Sequence, residues 1–178
     1  MSFIQRRLPR VEEILDVLGV SVFVLFSWSL RGFLYNLPSF LHSLSVGAIL
    51  GILCYMMAFA LLESLLLVCC LLLISIVLPG KWYRDGFAYK GFLTILVISI
   101  TSIQIQSILS ADWPSKEILL PKFGIAFLML VFLIALAHIL VPFQKFLLEV
   151  TGRLQIFVYL YVPIGLVGLL VGIIRNIA

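Results

Sequence analysis

The sequence predicts an all-α polytopic membrane protein with about five transmembrane helices, and three observations carry that prediction. Of its 178 residues, 63% are hydrophobic and only 11% are charged, with a mean hydropathy of +1.25. Soluble domains carry about 25% charged residues, so this chain has too few to clothe a water-facing surface. Several apolar runs are also long enough to cross a hydrocarbon core, which takes ~20 residues. Finally, the twelve Lys and Arg fall between those runs. They form no continuous basic face, which argues against nucleic acid as a partner and fits orientation in a bilayer.

The first segment, "MSFIQRRLPRVEE", is basic and precedes an apolar run, as in a signal peptide. That run is too long, however, and no small-residue cleavage site follows it. It is therefore expected to remain as span 14–34, stopping before "YNLPS", where Asn36 and Pro38 break the helix. Three further spans are expected at 91–109, 123–141 and 156–174, each near the length that suits a core of about 30 Å. The stretch 44–78 is nearly twice that length.

Charge decides how that stretch is read, because cytoplasmic loops collect Lys and Arg. As one overlong helix, it leaves eight basic residues inside (Arg6, Arg7, Arg10, Lys81, Arg84, Lys90, Lys145, Arg153) and four outside (Arg31, Lys116, Lys122, Arg175). As two helices, the split is six to six. "ALLESLLL" also contains no turn-forming residue. The prediction is a single bundle over 1–178 with the N-terminus cytoplasmic and the C-terminus outside. The surplus of the second helix projects outward, and 41–53 is a candidate interfacial segment.

Helical rise converts residue number into depth. Glu63, within "FALLESLLLVCC", lies about 22 Å from the inner edge at Leu78, Arg31 about 25 Å above Ile14, and Gln104 and Gln106 about 20 and 22 Å above Gly91. These four residues are expected to form one intramembrane polar layer. An unpaired charge in lipid costs about 2.5–3.5 kcal/mol on insertion scales, so Glu63 is expected to pair with Arg31, with a glutamine amide beside them. The polar face Ser99, Ser102, Gln106 and Ser110 recurs at helical spacing and is expected to bury against other helices.

The two histidines, His42 and His138, fall near opposite faces and cannot share one haem. His138 alone is a possible ligand, with Asp16 at comparable depth as a hydrogen-bond partner. Glu12, Glu13 and Asp16 stand where a helix N-terminus favours negative charge. Gly47 with Gly51 and Gly168 with Gly172 form two GxxxG patterns, which mark close helix packing. Cys54, Cys69 and Cys70 read as small packing residues. Lys81, Trp82, Tyr83 and Arg84 read as an interfacial anchor, with the 80–91 loop on anionic lipid headgroups.

The sequence contains no P-loop, GxSxG, HExxH or Cys/His cluster, and it implies no cofactor or metal. The expected function is a non-catalytic accessory or scaffolding subunit of a larger complex in the cell membrane, with other membrane subunits or further copies of itself as partners. The alternatives are a small transporter or proton/cation-translocating component using Glu63, and a pigment- or haem-binding protein using His138.

Overall fold

In the computed structural model, which describes residues 8–77, 83, 85–108 and 116–177, the described residues fold into six α-helices. These are α1 (Val11–Ser43), α2 (Val46–Val77), α3 (Phe87–Ile108), α4 (Lys116–Ile139), α5 (Val141–Leu154) and α6 (Ile156–Ile177). Five segments are long and apolar enough to cross a membrane; they comprise α1, most or all of α2, α3 and α4, and the stretch Val141–Arg175. The described residues are thus all-helical as predicted, with five segments long and apolar enough to span a membrane. The stretch around Glu63 belongs to one unbroken 32-residue helix, α2.

Three boundaries differ from expectation. α1 does not stop before "YNLPS" but runs 33 residues, about 50 Å, through Pro38 to Ser43. Proline removes one backbone donor, but the turns around it are braced. Asn36 Nδ2 donates to the Gly32 carbonyl at 2.8 Å, and the Phe33 and Phe40 rings meet across the proline at 6.1 Å. The helix ends where Leu44 turns extended, and Ser45 Oγ accepts from the Ala48 N–H at 3.4 Å to open α2. Residues 41–53 are therefore the tip of a long α1–α2 hairpin and not a separate interfacial segment. α4 likewise begins at Lys116, with Pro121 inside its first turns.

The third difference is α5, a 14-residue helix where only a connection was expected. Leu140 is extended and ends α4, and Pro142 falls in the first turn of α5, where its missing N–H has no helical partner to lose. At about 21 Å, α5 is too short to cross the core. It buries Leu147 and Thr151 against the bundle and exposes a Glu149–Arg153 pair at 2.5 Å, worth about 0.3–0.5 kcal/mol.

The first four helices alternate in direction. The end holding the α1–α2 turn is here the turn end, and the end holding the α2–α3 connection is the loop end. α1, α2 and α6 form one tightly packed trio. Buried residues on α2 (Met57, Leu61, Ser64, Val68, Leu71, Ser75) recur every three or four positions and form a continuous seam. α6 runs antiparallel to α2 through glycines. A Cβ on Gly168 would lie 2.4 Å from the Cys54 carbonyl oxygen, and one on Gly165 would lie 2.7 Å from Leu61 Cβ. α3 joins the trio through α1, where a Cβ on Gly91 would meet Val17 at 2.7 Å. Among the described residues, α4 packs chiefly along α3 and α5.

Three apolar clusters hold these contacts. Val17, Val20, Val68, Leu71, Phe87 and Ile95 pack the loop end of α1, α2 and α3. Val22, Phe26, Met57, Ala60 and Leu61 form the centre with Tyr161 of α6. Tyr89, Leu93, Ala137 and Leu147 tie α3, α4 and α5 together.

Candidate functional site

The register of α1 against α3 assembles the most polar intramembrane feature. With Gly91 seated on Val17, Arg31 and Gln106 lie fourteen and fifteen residues further along their helices, level with each other about 21–22 Å on. Between the helices a cavity of about 420 Å³ opens, lined by Trp28, Arg31, Tyr35 and Asn36 from α1 and by Ile103 and Gln106 from α3. The Arg31 guanidinium carbon lies 5.3 Å from the centroid of the Trp28 ring, within cation–π range. Gly32 also lines the cavity, and a Cβ there would lie in ordinary contact with Met56 of α2 at 3.9 Å.

The predicted polar layer is therefore half assembled. Arg31 and Gln106 share the cavity. Gln104, two residues before Gln106, lies about 200° around α3 and is exposed outside the cavity. Glu63 is not at this site. With Gly32 beside Met56, Arg31 is level with the residue after Met56. Glu63 lies six residues, about 9 Å, nearer the loop end. Its carboxylate sits on the exposed side of α2 with Phe59, Leu62 and Leu66. Among the described residues, no ion pair joins Arg31 to Glu63. Equal depth for the two residues requires Ile14 and Leu78 to stand at one bilayer edge, whereas the hairpin sets the register of α1 and α2 through its turn.

The face Ser99, Ser102 and Gln106 is not buried as expected. Ser102 and Gln106 are exposed, Ser110 lies outside the described residues, and the buried face of α3 carries Leu93, Thr94, Val97 and Thr101. The threonines satisfy their hydroxyls internally, Thr94 on the Lys90 carbonyl at 2.8 Å and Thr101 on the Val97 carbonyl at 2.7 Å. They can therefore be buried at no hydrogen-bonding cost.

His138 is exposed near the end of α4 and, among the described residues, makes no bond to Asp16, which belongs to the first turns of α1. Of the glycine pairs, Gly168 and Gly172 face α2, and Gly51 faces the Arg175 guanidinium of α6. All three thus serve packing within this chain. Gly47 has nothing within 4 Å. Cys69 and Cys70 are exposed and Cys54 is half-buried. Of the anchor residues, Lys81, Trp82 and Arg84 lie outside the described residues. Tyr83 turns into the protein, where its hydroxyl meets Thr94 Oγ1 at 3.1 Å and its ring packs edge-on against Phe87. Burial raises its phenol pKa, and the Thr94 bond partly opposes that shift.

A second cavity, about 390 Å³, opens at the loop end beside Arg10, Glu13, Asp85 and Gly86. Gly86 adopts φ +79, and the Tyr89 ring covers the space a Cβ would need, so the turn requires glycine. Lys90 is buried, and its Nζ donates to the Asp85 carbonyl at 2.5 Å. This lysine, which the sequence offers only as one more loop charge, braces the turn from inside the protein. Among the described residues, no three His, Cys, Asp or Glu side chains converge in a way that could hold a metal.

The Arg31 cavity is the place where charge, amides and aromatic rings converge. Sequence reasoning identified Arg31 and Gln106 but missed Trp28, Tyr35 and Asn36. The signal for two of these was present, since Trp28, Arg31 and Tyr35 recur at spacings of three and four and so share one face of α1. The groups there supply positive charge and hydrogen-bond donors, which is binding chemistry for an anion. Compared with known proteins, the chain matches no family model, no curated protein and no solved structure, so its function is argued from its own residues.

Proposed function

We propose that the chain is a non-catalytic helical subunit of a larger assembly in the cell membrane, N-terminus cytoplasmic and C-terminus outside, joined to a neighbouring subunit along the exposed side of α2. One observation carries this reading. Glu63 stands in the middle of an almost wholly apolar helix, on its outward side, with no counter-charge from this chain among the described residues. An isolated charge there costs about 2.5–3.5 kcal/mol on insertion scales. A transmembrane helix offering Lys, Arg or an amide donor at that depth offsets the cost and makes Glu63 a specificity element.

The transport reading draws on the same carboxylate, but a relay needs a second ionisable or hydrated group in reach. On its own face Glu63 is flanked by Phe59, Leu62 and Leu66. The pigment reading rests on a single exposed histidine, His138.

Site-specific photocrosslinking in native membranes tests the proposal. A crosslinker at Leu66, on the Glu63 side, is expected to capture one discrete membrane protein, while one at Phe127 on α4 captures lipid. Glu63→Leu should weaken that capture roughly tenfold or more. Capture unchanged by Glu63→Leu, or lipid adducts alone at Leu66, would overturn the reading. Capture of a second copy of this chain would replace the heteromeric partner with self-association.

A further inference from the structure

We propose that the cavity between α1 and α3 at Arg31 binds the phosphate of a membrane amphiphile, with the headgroup on the Arg31 guanidinium and the hydrocarbon chain against α3. The guanidinium needs an anion. Among the described residues no carboxylate lies within ion-pair distance of it, and the Trp28 ring centroid stands 5.3 Å from its carbon. Stacking on that ring holds a planar, always-charged fork that suits two oxygens of a phosphate.

The surroundings fit a lipid headgroup. Tyr35, Asn36 and Gln106 add polar groups from two helices around a cavity of about 420 Å³. Asn36 commits one amide hydrogen to the Gly32 carbonyl and keeps the rest of its amide available. Trp28 and Tyr35 are the residue types that settle at the headgroup level of a bilayer, and they bracket Arg31 by one turn on each side. Beyond the polar groups, Ile103 on the cavity wall and Ile100 one turn along α3 are exposed and apolar, as an acyl chain requires.

Thermal unfolding of the detergent-solubilised full chain tests this with three probes: a short-chain phosphatidylglycerol, the matching diacylglycerol without phosphate, and inorganic phosphate. The phosphatidylglycerol is expected to raise Tm, while the diacylglycerol and inorganic phosphate leave it nearly unchanged. Arg31→Gln should weaken the phosphatidylglycerol effect roughly ten- to a hundredfold in apparent affinity, the size expected for losing a bidentate charge-assisted pair. Arg31→Lys should retain part of it. Gln106→Leu, which leaves the guanidinium in place, should cost several-fold and keeps the test open if Arg31→Gln does not fold. Equal shifts from phosphatidylglycerol and diacylglycerol, or a full response in Arg31→Gln, would overturn the site. A shift of equal size from inorganic phosphate would assign the cavity to free phosphate and overturn the lipid as its source.

Discussion

α6 and α4 begin as near equals and end in different environments. They have 22 and 24 residues, and the most apolar windows of the segments containing them share a mean hydropathy of 2.4. Yet α6 lies in close contact with α1 and α2, while none of the most apolar part of α4 is buried. The glycines explain the difference. On α6, Gly165, Gly168 and Gly172 face α2 and let two backbones approach. On α4, Gly124 has nothing within 4 Å. In lipid there is no hydrophobic gain from bringing two apolar helices together, so contact depends on close packing. Hydropathy decides that a helix enters the membrane. Small residues on the right face decide whom it meets there.

Truncating aromatics tests that contrast most severely. Phe26 is buried at 1% exposure where α1, α2 and α6 meet, and it stacks on Tyr161 with centroids 4.9 Å apart. Phe26→Ala should destabilise by about 2–4 kcal/mol, since the cavity term survives in lipid even where the transfer term does not. Phe127, on α4 and 65% exposed, should cost less than about 0.5 kcal/mol as Phe127→Ala. Reversible unfolding in mixed micelles measures both, and equal losses would contradict the contrast.

Adding one methyl group gives the next largest effect. Gly168→Ala places a Cβ 2.4 Å from a backbone oxygen and should force α6 off α2, costing about 1–3 kcal/mol. Gly124→Ala meets open space and should be neutral or stabilising by up to about 1 kcal/mol through helix propensity. A Gly168→Ala protein as stable as the parent would mean that α6 docks by other contacts. The smallest effect belongs to His138→Ala. The side chain is exposed and unbonded among the described residues, so unfolding should shift by no more than about 0.5 kcal/mol.

Much of the fold was legible in the sequence because it concerns one helix at a time. The apolar runs, and the absence of a turn signal around Glu63, correctly mark five segments long and apolar enough to span a membrane and an unbroken α2. The helix α5 was overlooked, although Phe143, Leu147, Val150 and Leu154 repeat at helical spacing after Pro142. In the sequence its basic residues Lys145 and Arg153 count only as cytoplasmic loop charge. The candidate site was half legible. Arg31 and Gln106 match in depth and share a cavity, because α1 and α3 start at the same end and run parallel. Glu63 is level with Arg31 only if Ile14 and Leu78 share one bilayer edge; the Leu44–Ser45 turn fixes the register of α1 on α2 instead and puts Glu63 about 9 Å nearer the loop end.

The sequence by itself determined that this chain is a helical membrane protein and where its long apolar segments lie. Those are properties of each segment against its solvent, and composition measures them directly. The tertiary structure decided which face of each helix meets protein. It turned Glu63 outward, drew Tyr83 and Lys90 inward, and set Arg31 on Trp28 beside Gln106. Such outcomes depend on pairwise register, fixed by a two-residue turn and by glycines whose missing Cβ atoms matter only once a second backbone stands opposite them.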